Sequence, residues 1–132
     1  MKKLLFIVLF LSGCSSKFNI EIFNNSSFPL IIYGDNSVTI DPNESKKIGF
    51  FTTTRIVTAE SNGQLYTYGI NVSQIPGEYV VSGWRHGIKL QVEPNLDVYI
   101  RKPEFNFLSL VSVLHDEQPV GFPLVAVKVD AK

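Results

Sequence analysis

The chain has 132 residues, with 12 basic and 12 acidic side chains, 45% hydrophobic residues and a single cysteine. Balanced charge with no run of lysine or arginine lacks the electrostatic footprint of a nucleic-acid binder. One cysteine excludes an internal disulfide and cysteine-based metal or redox chemistry, and the length suits one domain with its own core.

Lys2 and Lys3 precede an uninterrupted apolar run, Leu4 to Leu11, and then Ser12-Gly13-Cys14. This positive, apolar, small-residue order is that of a secretory signal. A helical run of this length rises only about 12 Å against a hydrocarbon core of roughly 30 Å, too short to stay as a membrane span.

The tetrad Leu11-Ser12-Gly13-Cys14 resembles the lipobox of bacterial lipoproteins at every position. The resemblance implies a diacylglycerol on the Cys14 sulfur, cleavage before Cys14 and acylation of the new amine. Residues 1–13 are then a removed signal, 14–17 a lipidated N-terminus and short tether, and 18–132 a single β-rich domain. The first partner so implied is membrane lipid, held through two or three acyl chains that anchor essentially permanently where one is marginal. Ser15 in place of aspartate after the cysteine implies, in a Gram-negative source, the outer membrane and its periplasmic face. Ser15-Ser16-Lys17 spans only about 10 Å when extended. The domain is therefore expected to ride against the headgroups, with the loops beside the start of the Phe18 strand toward the membrane.

Beyond the tether, short strands alternate with turns. Phe18, Ile20 and Ile22 alternate with polar residues, and Asn24-Asn25-Ser26-Ser27 ends that run. Pro29 to Tyr33, Ser37 to Ile40 and Lys46 to Phe51 are further strands, the last two separated by Asp41-Pro42-Asn43-Glu44, whose aspartate and proline fit a type I turn. Asn62-Gly63 between Thr52–Ser61 and Gln64–Val72 marks a type I′ hairpin, because both residues tolerate positive φ. If Ser61 opposes Gln64, Ala59 faces Tyr66, Val57 faces Tyr68 and Arg55 faces Ile70 on one side, with Thr58 opposite Thr67 on the other.

The meander is expected to continue through Tyr79-Val80-Val81, then Ile88, Leu90 and Val92, a turn at Glu93-Pro94-Asn95, and Leu96, Val98 and Ile100. Between Glu104 and Leu114, a helical stripe (Phe107, Leu110, Val111, Leu114) competes with a strand face (Phe105, Phe107, Val111, Val113). The Val and Ser content favours the strand, with Leu124 to Val129 as its pairing partner. The fold expected is all-β: an antiparallel β-sandwich, immunoglobulin-like, or a small β-barrel, of about seven to nine short strands.

Chemistry is sparse. His86 and His115 lie in separate loops, neither with a partner at metal-ligand spacing, and no nucleophile elbow, zinc-protease or phosphate-loop motif occurs. No catalytic residue, metal or cofactor is assigned. The loop Ser82-Gly83-Trp84-Arg85-His86 resembles, in two residues, the Ser-Gly-x-x-Tyr loop of membrane-bound lysozyme inhibitors. His86 stands where their tyrosine would be, and their usual cysteines are absent. Trp84 and Arg85 are residue types concentrated at binding hot spots, so Trp84, Arg85 and His86 are candidate partner-binding residues, with a Trp84 that plugs the core as the competing reading. Tyr66, Tyr68 and Tyr79 fit either an aromatic recognition face or core filling with wet hydroxyls, and the core is favoured. The function expected is a non-enzymatic, membrane-anchored envelope module that binds or braces a protein partner. The alternative is an inhibitor or ligand-binding lipoprotein that uses the Trp84-Arg85-His86 loop.

Overall fold

A computed structural model of the chain describes residues 18–34, 36–50, 54–81, 87–104 and 117–130. Its strands in chain order are β1 (Phe18–Asn24), β2 (Leu30–Tyr33), β3 (Val38–Ile40), β4 (Ser45–Phe50), β5 (Thr54–Ser61), β6 (Gln64–Asn71), β7 (Gly87–Val92), β8 (Val98–Arg101) and β9 (Val127–Lys128). Two sheets form, one ordered β4-β1-β7-β8 and the other β3-β2-β5-β6-β9. They pack as an open sandwich, so the sandwich expectation holds over that of a closed barrel.

Period-two alternation builds the core. Ile20 and Ile22 of β1, Ile88, Leu90 and Val92 of β7, and Val98 and Ile100 of β8 bury against Leu30, Ile32, Ile40, Ala59, Tyr68 and Ile70 of the opposite sheet. Each such aliphatic side chain contributes about 1.5–3 kcal/mol by leaving water. The space left between the sheets is about 40 Å³ and lined by apolar side chains alone. That volume is close to one water, in a lining that offers a water no partner, so the sandwich interior is no ligand pocket.

The β5–β6 hairpin follows its sequence signal residue for residue. Ser61 pairs with Gln64, Ala59 with Tyr66, Val57 with Tyr68, Arg55 with Ile70 and Thr58 with Thr67. Asn62 and Gly63 take φ of 50° and 79°, as a type I′ turn requires. Nothing lies within 4 Å of a Cβ built on Gly63, so the constraint there is conformational rather than steric. Gly63→Val should therefore cost about 1 kcal/mol or more, because a β-branched residue resists positive φ. Chemical denaturation measures this, and an unchanged midpoint contradicts it.

Other segments depart from the sequence expectation. The turn at Asp41–Glu44 closes through a Glu44 N–H to Asp41 C=O bond of 3.0 Å, but Asn43 sits at φ 66°. Positive φ at the third position belongs to a type II turn, which accepts proline second and asparagine third as readily as the type I expected. The chain is also not a simple meander. β1 leads to β2, β3 to β4, β4 to β5, β6 to β7 and β8 to β9 across the sandwich, and β1 runs parallel to β7. Val72–Gln74 and Gly77–Tyr79 are 3₁₀ turns rather than strand. Leu124 bridges Val98, and Val127–Lys128 pairs with β6. These are the pairings of the Leu124–Val129 segment among the described residues; the partner expected at 104–114 lies outside them but for Glu104.

That C-terminal segment secures one side of the sandwich. Leu124 exchanges backbone hydrogen bonds of 2.8 and 2.9 Å with Val98, and the Gln118 amide grips both the N–H and the C=O of Ile100, at 2.9 and 3.0 Å. A side-chain amide here stands in for a neighbouring strand and closes the β8 edge. On the other side, the Lys46 ammonium donates to the Thr39 carbonyl of edge strand β3 at 2.6 Å.

Candidate functional site

Cys14, Trp84, Arg85, His86 and His115 lie outside the described residues. The flanks of the Trp84 loop are described. Val81 and Gly87 form an antiparallel bridge, with backbone bonds of 2.7 and 3.2 Å, at the start of β7.

The three tyrosines fill the core. Tyr68 is 6% exposed and donates its hydroxyl to the Leu96 carbonyl at 2.7 Å, and Tyr79 is 4% exposed and donates to the Glu117 carbonyl. Burial, reinforced by Asp97 and Tyr66, pushes the Tyr68 phenol well above its ordinary range. Tyr66 packs against the same core. The Tyr68 and Tyr79 rings are apolar payload with their polar tips satisfied, in line with the core-filling reading of these residues.

A second buried cluster went unread in the sequence. Gln91, Glu93 and Arg101 are only 3%, 5% and 4% exposed. The Gln91 amide donates to one Glu93 carboxylate oxygen and accepts from the Arg101 guanidinium at 3.3 Å, while the Asn25 amide donates to the other Glu93 oxygen at 3.0 Å. Opposite charges joined through an amide relay offset their desolvation, which gives the cluster a structural role without requiring a chemical one.

The outer surface of the second sheet carries exposed apolar side chains. On the outside of the second sheet the register sets Ile31, Glu60, Leu65 and Val129 in one row, and Tyr33, Thr58, Thr67 and Val127 in the next. Ile56 stands opposite Gly69 in a third. Ile56 is 73% exposed, Val127 59%, Leu65 37% and Val129 36%. Beside Gly69 a hollow of about 250 Å³ is walled by Ile56, Ile75, Val120 and Phe122, with Asn71 and Gln74 as polar members. Val120, at the rim, is 96% exposed. The Tyr33 hydroxyl donates to Glu60 at 2.8 Å, and that hydrogen bond, then burial, then the carboxylate charge raise its pKa. Apolar residues clustered on a sheet face and rimmed by polar ones mark an interaction surface more than a random scatter does. Ile56 and Leu65 share the hairpin that Asn62-Gly63 sets in register, but no local sequence signal could have brought Val120 and Val127 of the C-terminal segment to the same face.

Among the described residues no group of three His, Cys, Asp or Glu could hold a metal ion, and no helix is long and apolar enough to cross a membrane. No protein family, curated protein or solved structure matches the chain.

Proposed function

We propose that this chain is a lipid-anchored module of the bacterial cell envelope, held to its membrane through acylated Cys14, that binds a protein partner and catalyses no reaction. In a Gram-negative source its place is the periplasmic face of the outer membrane. The anchor rests on the Leu11-Ser12-Gly13-Cys14 tetrad. The partner-binding half rests on one observation, the apolar outer face of β5, β6 and β9 with Ile56 and Val127 more than half exposed. A membrane-tethered domain diffuses in two dimensions, so a modest apolar face suffices for a partner held in the same layer, where effective concentration is high.

Each half has its own test. Cys14→Ser should abolish palmitate incorporation and leave the precursor uncleaved; palmitate still entering that variant overturns the anchor. A photo-crosslinking amino acid at Ile56 and, separately, at Val127 should capture the same envelope protein in intact cells. A charged residue at the neighbouring Leu65 should abolish that capture while the protein stays folded. Capture of unrelated proteins at the two positions, or of none, overturns the partner surface.

A further inference from the structure

We propose that the outer face of the β4-β1-β7 sheet is the surface by which this domain lies on its membrane, a docking site for the phosphates of anionic lipid headgroups. The inference rests on the anchored reading above and gives the tethered domain an orientation.

The register aligns Lys47, Glu21 and Lys89 across β4, β1 and β7, so two ammonium groups flank one carboxylate on adjacent strands. The next row toward the chain's entry is Gly49, Asn19 and Gly87. Beside that row lies a hollow of about 340 Å³, lined by Asn19, Glu21, Lys47, Lys89, Val81, Gly87 and Ile88. Lys47 is exposed and Lys89 and Glu21 half-exposed. Arg101 of β8 stands opposite Lys89 in the same row but is buried, and in the next row away from the chain's entry Phe23 and Gln91 are buried on this outer face.

Two features commit the surface to a membrane rather than a soluble anion or a protein. The first is position. The hollow begins at Asn19, the second residue of β1, and the chain upstream to Cys14 is only Ser15-Ser16-Lys17, about 10 Å when extended. Acyl chains on Cys14 therefore hold this end of β1 within reach of the headgroups. The second is charge. The face carries two lysines to one glutamate, with Lys17 adding a third cation to the tether sequence, whereas the chain from Cys14 onward has 10 basic side chains (12 less Lys2 and Lys3) against 12 acidic ones. A lysine near an anionic surface strengthens association roughly fivefold at physiological salt, so Lys47 and Lys89 together outweigh Glu21. Docked this way, the domain turns the Ile56 and Val127 face away from the bilayer, where a partner can reach it.

The test uses the acylated full chain, its acylation confirmed by mass, in nanodiscs of phosphatidylcholine with or without phosphatidylglycerol, each carrying a trace of gadolinium-bearing headgroup. Anionic discs should broaden the amide resonances of Lys47, Glu21 and Lys89 while sparing Ile56 and Val127. Pure phosphatidylcholine discs, the double variant Lys47→Gln/Lys89→Gln, or about 0.5 M salt, where the Debye length falls to a few ångströms, should remove the difference. Equal broadening of both faces, or broadening that ignores lipid charge, overturns the proposal. So does inorganic phosphate at millimolar concentration shifting the same resonances in neutral discs as strongly as anionic lipid does, since the site then reads a free anion. A chain without acyl groups fails the anchored reading alone; pure domain added to anionic vesicles and cosedimenting only with Lys47 and Lys89 intact still upholds the surface, and failure to do so overturns it.

Discussion

Asn24→Leu should destabilise the domain by about 3 kcal/mol or more, as the loss of one side chain exposes several orphaned groups at once. Asn24 is fully buried at the end of β1. Its amide nitrogen donates to the carbonyls of Phe28 and Ile40, both at 2.9 Å, and its amide oxygen accepts from the Ser26 backbone N–H at 2.9 Å and from the Ser26 hydroxyl. Its own backbone bonds Glu44 and Asn43, at 2.9 and 2.7 Å. One residue thus fastens the corner where β1 leaves the first sheet to the ends of β3 and β4. Leucine is close in size but takes the Asn24 amide from Ile40 C=O and Ser26 N–H and leaves Phe28 C=O with only the Ser26 hydroxyl at 3.2 Å, at about 1–3 kcal/mol for each group that stays buried and unpaired. Ser26→Ala, which removes one donor to Asn24 and a 3.2 Å bond to Phe28, should cost only about 1 kcal/mol. Urea denaturation of the pair measures the ratio. Equal midpoints for Asn24→Leu and Ser26→Ala would show that the corner does not depend on this amide.

The same residue shows where sequence reading stops. Asn24-Asn25-Ser26-Ser27 reads as a solvated turn that ends a strand, and as local chemistry that is right. What buries Asn24 is the approach of Ile40, sixteen residues on, a contact made by the crossing from β3 to β4 and invisible in any window around residue 24. Asn62-Gly63, by contrast, was legible to the individual pair, because a two-residue turn fixes the register of both arms with information entirely local to it. The strand residues of the core were likewise legible from alternation alone, from Ile20 and Ile22 through Ile88, Leu90 and Val92. Sheet membership was not. Alternation says which side chains share a face but not which strand lies next to which, so a parallel β1–β7 pair and five crossings could not be told from a meander. The candidate surfaces are properties of that membership. Lys47, Glu21 and Lys89 become neighbours only when β1 sits between β4 and β7, and Ile56 meets Val120 only when the C-terminal segment returns to the second sheet. The likeness of Leu11-Ser12-Gly13-Cys14 to a lipobox needs no fold to be recognised, whereas the reading of Trp84, Arg85 and His86 rests on residue type and on a two-residue likeness to an inhibitor loop, and those residues lie outside the described ones.

Gly87→Ala tests the parallel pairing on which the lysine surface depends. In the sequence Gly87 looks like the closing residue of a loop. In the fold it stands between two strands' worth of backbone: it exchanges hydrogen bonds with Val81 on one side and lies beside Asn19 of β1 on the other. A Cβ at this position would sit 2.0 Å from the Asn19 carbonyl oxygen and 2.8 Å from its carbon. Both atoms are main chain, so no rotamer can relieve the clash, and β1 and β7 must separate by more than an ångström at that end. Overpacking of this kind costs about 1–3 kcal/mol, and the upper part of that range applies because the Asn19–Gly87 and Ile20–Ile88 steps of the ladder share the strain. Gly69→Ala is the matched control. Gly69 lies on the outer face of β6 with nothing within 4 Å of a built Cβ, so alanine there should leave stability unchanged or raise it slightly. Thermal melting should separate the two variants clearly, and hydrogen exchange should show the Gly87→Ala loss concentrated at the amides of Ile20 and Ile88. If the alanine at 87 melts with the wild type, the close approach of β1 to β7 is wrong, and with it the row that sets Lys47, Glu21 and Lys89 side by side.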